Sequence, residues 1–155
     1  MSRLFETSRR IEAPTAPVWE VLFDVARWPD WTPTIDSVQR LDDGPFGVGS
    51  RAKVRQPKLP QAEWEVTEVV AGRSFTWEAR GPGMKTIARH EVVPDSGDEG
   101  DGGDGGGSGS RVTLSIEQTG PMGAVAALVW RRLTQRYIEL EAESLDARVT
   151  GTSST

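Results

Sequence analysis

The 155 residues carry 18 Lys and Arg against 23 Asp and Glu, a formal charge of −5, which argues against a nucleic-acid partner. Cysteine is absent, so disulfides, thiolate metal sites and cysteine nucleophiles are excluded; with one histidine, a His/Cys zinc centre also lacks ligands. No stretch approaches the roughly 18 apolar residues of a membrane span, and the N-terminus lacks the apolar run of a signal peptide.

In chain order, Leu4 to Ala13 alternates, with Phe5, Thr7, Arg9 and Ile11 on one side, and reads as a strand ended by Pro14. Thr15 is placed to cap a short helix over Pro17 to Asp24, with a second turn through Trp28 that stops at Pro29. The two indoles of Trp28-Pro29-Asp30-Trp31 form a proline-bracketed knot that must bury its area. Strands follow at Ile35 to Leu41, Ser50 to Gln56, Ala62 to Val70, Ser74 to Arg80 and Met84 to Val93, separated by Gly- and Pro-rich turns. Their alternation turns Ala52 and Val54, then Trp64 and Val66, then Phe75, Trp77 and Ala79, and then Thr86, Ala88, His90 and Val92 to one side.

Pro94 to Ser110 is Gly, Asp and Ser without an apolar anchor, the composition of a mobile hairpin tip. Arg111 to Gln118 resumes the sheet with Val112, Leu114 and Ile116 inward. The spacing then predicts one long amphipathic helix from Met122 to about Val149, its stripe running through Val125, Ala126, Val129, Leu133, Tyr137 and Leu140. The order is that of an α+β protein, a curved antiparallel sheet of six to seven strands wrapped around a long C-terminal helix, with two short helices after the first strand. One domain over residues 1–150 is expected, with a flexible Gly/Asp insertion at 95–110 and a disordered tail at 151–155.

Several segments carry a resemblance. Ile11-Glu12-Ala13-Pro14, Val18 to Asp24 and Trp28-Pro29-Asp30-Trp31 resemble the opening of the polyketide cyclase/dehydrase and lipid-transport superfamily, the START-like or SRPBCC proteins. Trp64 to Val69, Phe75-Thr76-Trp77, His90-Glu91-Val92, Gly120 to Gly123 and Arg136 to Glu143 continue the likeness in order. The resemblance implies a helix-grip fold with a hollow between sheet and terminal helix for sterols, lipids, polyketides or other apolar molecules. Some members cyclise or dehydrate polyketide chains, while others carry or sense ligands.

Two side chains are candidates for chemistry. His90 sits on the inward face, either as a general acid or base on a carbonyl substrate or as a core histidine with satisfied nitrogens. Tyr137, the single tyrosine, lies on the helix stripe and would donate to a ligand oxygen or an enolate, or else rest as a buried phenol. Trp64, Trp77 and Phe75 are the expected aromatic cavity walls. Val54, Ala88 and Leu114 join them from neighbouring strands, and Met122, Val129, Leu133 and Tyr137 from the helix. Arg9, Arg55, Arg131 and Arg132 are read as solvated.

Binding of a hydrophobic small molecule in an internal cavity is the first expectation. A cyclase or dehydrase using His90 and Tyr137 is the second, and a protein-interaction module with a broad exposed apolar patch the third. No cofactor, no metal and no membrane insertion are expected, in a cytoplasmic monomer or homodimer. The arginine-rich, Gly- and Ala-rich usage fits a GC-rich bacterial genome.

Overall fold

The computed structural model describes residues 3–81, 83–95 and 109–151. Seven strands make one antiparallel sheet in the order β1-β7-β6-β5-β4-β3-β2. They are β1 (Arg3–Ile11), β2 (Ser37–Arg40), β3 (Arg51–Arg55), β4 (Ala62–Val70), β5 (Ser74–Gly81), β6 (Met84–Pro94) and β7 (Ser110–Thr119). β2 to β7 form a meander, each strand pairing with the next, and β1 closes it against β7 in a register that sets Phe5 beside Ile116 and Ile11 beside Ser110. The chain reaches the opposite edge from β1 through α1 (Thr15–Phe23) and a 3₁₀ turn over Val25–Asp30.

The alternation read in the sequence is the one the sheet uses. Ala52 and Val54, Trp64 and Val66, Phe75 and Trp77, Ala88 and Val92, and Val112 and Leu114 are all buried on one face. A bulge between Val66 and Glu68 shifts the β4 register, which bends the strand and returns Val69 to the edge of the core. The sheet curves around the C-terminal helix, whose residues Ile138, Ala142 and Leu145 follow i, i+4, i+7 spacing into the core.

Four expectations are corrected. The long terminal helix is two, α2 (Pro121–Val129) and α3 (Arg131–Thr150), divided at Trp130, whose backbone (φ −106°, ψ 22°) leaves the helical region. The hydrogen-bond ladder nearly continues across the break, with Trp130 N donating to Ala126 O at 2.9 Å and Thr134 N to Trp130 O at 2.8 Å. A pattern of apolar residues does not register such a bend, so the two helices present different faces. Met122 and Val129, expected inside, are 49% and 65% exposed. Finally, Pro14 rather than Thr15 stands at the N-cap, without a side-chain bond, and Pro29 lies inside the 3₁₀ turn instead of stopping it.

Most of the Gly/Asp insertion (residues 96–108) and the tail from residue 152 lie outside the described residues. At the base of the insertion Asp95 accepts from Arg111 Nε at 3.1 Å. Arg9, on the inward side of β1, reaches out to Asp146 of α3 at 2.7 Å, and Arg55 is exposed beside Gln61 at 3.1 Å. Among the described residues no helix is long and apolar enough to cross a membrane.

Candidate ligand cavity

A cavity of about 420 Å³ opens between the first half of α3, strands β4 to β7 and the loop that joins β3 to β4. Trp64 and Ala79 are neighbours in the β4–β5 register and Ala79 and Thr86 in the β5–β6 register, so three adjacent strands contribute one patch of floor. Ile116 and Gln118 extend it along β7. The roof comes from α3 and its junction with α2, where Trp130, Thr134, Tyr137, Ile138 and Glu141 succeed one another at helical spacing. Leu59, Pro60 and Met84 complete the apolar lining.

An annex of about 40 Å³ shares Gln56, Trp64, Ile116 and Glu141 with the main cavity and continues between Trp28, Trp77, Val54, Ala88 and His90. It has the volume of about one water molecule.

His90 is 5% exposed and sandwiched among aromatic rings: it stacks on Phe75, with centroids 4.3 Å apart, and lies 5.3 Å from Trp28. Burial in that apolar shell lowers its pKa to about 4, against a smaller upward effect of a hydrogen bond to the Phe75 backbone. The imidazole is therefore neutral near neutrality, and its Nδ1 has no hydrogen-bond partner. Tyr137 lines the main cavity, but its hydroxyl donates to the Pro57 carbonyl. Burial, then the charge of Asp36, raises its pKa.

Of the other expected wall residues, Trp64 faces both spaces, and Trp77, Val54 and Ala88 face the annex. Phe75 and Leu114 are buried in the core and touch neither space, because side chains fill the sheet behind the annex. Leu133 is half-buried away from the cavity, and Met122 and Val129 point outward from α2. His90 and Tyr137 are thus in different spaces, joined by the shared wall.

Two polar residues of the site were not singled out by sequence. Glu141 follows Tyr137 by one helical turn, so both lie on the same face, and its carboxyl accepts from Thr34 Oγ1 at 3.2 Å. Burial pushes its pKa up to about 7, with the Thr34 bond acting in the opposite direction. Gln118 continues the inward alternation of Val112, Leu114 and Ile116; it is 7% exposed and its side-chain oxygen has no partner. Among the described residues no group of three or more His, Cys, Asp or Glu is placed to hold a metal.

The model of one family, described as polyketide cyclase / dehydrase and lipid transport, matches residues 2–150. The chain belongs to this family. Solved structures agree in fold. Norcoclaurine synthase from Thalictrum flavum, in complex with dopamine and hydroxybenzaldehyde, superposes with a TM-score of 0.72 at 16% identity, over 100% of this chain and 90% of that one. The protein Ara h 8.0201 gives a TM-score of 0.68 at 14% identity, over 98% and 100%. No curated protein sequence matches the chain. At these identities the likeness carries the family's Bet v 1-like helix-grip architecture.

Proposed function

We propose that this family member binds an apolar small molecule, polyketide-, lipid- or aromatic-like, in the cavity between sheet and α3. The carrying observation is the cavity itself. Its 420 Å³ falls within the roughly 300–1,000 Å³ typical of ligand sites. Trp64, Trp130, Tyr137 and Ile138 supply broad apolar walls, and a few polar groups interrupt them. An empty apolar space of this size forfeits packing that a ligand restores. The residues that fill the core, Phe75 and Leu114 among them, leave it open.

The test is mass spectrometry of the purified chain under native and then denaturing conditions. A stoichiometric adduct released on denaturation supports binding and gives the ligand's mass. Titration with an apolar probe such as pentylbenzene, followed through the emission of Trp64 and Trp130, is the second arm. Absence of both adduct and saturable quenching would overturn the reading.

A further inference from the structure

Two polar groups on the cavity wall, Glu141 and Gln118, keep unused capacity as acceptors. Glu141 borders both the cavity and the annex. Among the described residues its carboxyl receives one hydrogen bond, from Thr34, where a carboxylate has room for about four. Gln118, on β7 across from α3, keeps a buried side-chain oxygen with no partner. Two donors of the lining are engaged elsewhere, Gln56 Nε2 on the Thr34 carbonyl at 3.3 Å and the Tyr137 hydroxyl on Pro57. Arg80 is the cation among the lining residues, and it is exposed and bound to Glu78 at 3.1 Å.

A molecule that satisfies this wall brings donors on an apolar body. Between a hydroxyl and an ammonium, a carboxylate desolvated by burial, as Glu141 is, favours the ammonium, because the bond is then charge-assisted and weakly screened. We propose that Glu141 and Gln118 recognise an amine, and that the ligand is an aryl-alkyl amine whose ring lies among Trp64, Trp130 and Tyr137. This deepens the binding reading above and rests on it.

The carboxylate form is the one that pairs with an ammonium, so affinity follows the ionisation of Glu141. The charged or titratable groups around it are Tyr137 on the same helix, His90 on β6, Arg80 on β5, Glu63 on β4 and Asp36 before β2. Glu63 is engaged by Arg51 at 3.4 Å, and Asp36 acts on Tyr137. His90, lowered to about 4, and Tyr137, raised above its usual value, both stay neutral near neutrality. Glu141, at about 7, changes charge there.

The experiment compares phenylbutylamine with pentylbenzene, of equal heavy-atom number, on the full chain and on Glu141→Gln and Gln118→Leu. At about pH 8 the natural chain should prefer the amine by at least about tenfold. That preference should shrink by about tenfold per pH unit below the Glu141 pKa. Glu141→Gln keeps an acceptor for Thr34 and should abolish the preference, bringing the amine to the affinity of pentylbenzene for the same variant. Gln118→Leu, with Glu141 in place, should weaken the amine several-fold and decides the matter should Glu141→Gln fail to fold. Equal affinity of the natural chain for both probes overturns the proposal and leaves the binding reading standing. A preference that survives Glu141→Gln and Gln118→Leu does the same. Failure of both probes to bind overturns the binding reading, and the proposal with it.

Discussion

Phe75 and His90 face each other across the β5–β6 ladder, their rings 4.3 Å apart and 8° from parallel. The contact holds the histidine as a neutral aromatic plate, which has a consequence for stability. A group whose pKa falls from 6.5 to about 4 on folding contributes stability that is complete above the unfolded value. That contribution is lost as the pH falls through the folded one. His90→Phe should remove an acid-side loss of at most about 3 kcal/mol. Urea midpoints at about pH 7 and about pH 4.5 measure it; an unchanged acid limb would show that His90 is not buried neutral.

Glu141 has the opposite sign. Its pKa rises from 4.5 to about 7 on folding, so its contribution is complete below the unfolded value and lost as the pH rises through the folded one. Because the carboxyl borders a cavity, the loss should be on the order of 2 kcal/mol. Glu141→Gln should therefore be the more stable protein at about pH 8 and equal to the natural chain near pH 4.5. The two slopes oppose each other in the acid range, so each single variant should expose the other residue's slope. A Glu141→Gln curve parallel to that of the natural chain would refute this.

Gly120 is required by both conformation and space. Its φ is +92°, and a Cβ there would stand 2.6 Å from the Gly83 carbonyl oxygen, which itself accepts from Met122 N at the start of α2. Gly120→Ala should cost about 2–3 kcal/mol or more. Gly72→Ala, at φ +74° with nothing within 4 Å, should cost about 1 kcal/mol. Thermal unfolding of both variants tests the order.

Ala79 is a small side chain on the cavity floor, between Trp64 and Thr86 in the sheet. Ala79→Phe should occupy the cavity and weaken an apolar probe by more than about tenfold, at an overpacking cost of about 1–3 kcal/mol. Circular dichroism and probe titration together separate blocking from unfolding. Undiminished binding would put the ligand elsewhere.

The sheet was legible in the sequence because its signals are local. Period-two alternation in β3 to β7, broken by Gly and Pro turns, depends on residues two apart and survives without knowledge of any partner strand. The family likeness rested on the same segments, since Trp64, Phe75, Trp77 and His90 belong to that inward face. Helical spacing likewise found the C-terminal helix, yet could not see that Trp130 divides it, because apolar periodicity runs through the bend.

The cavity was decided by tertiary structure alone. Whether an inward residue lines a space or fills it depends on what stands opposite, so Phe75 and Trp77, two residues apart, meet core and annex respectively. Met122 and Val129 carried the right apolar character, but the turn of α2 away from α3 left them in solvent. Glu141 gave no sign of its role within Ile138 to Glu143, where three glutamates alternate with apolar residues, since a glutamate is read as exposed until the helix is seated. Seating α3 against Thr34 and the sheet removes water from that carboxyl, and this desolvation, which no residue dictates by itself, brings Glu141 to a pKa near neutrality.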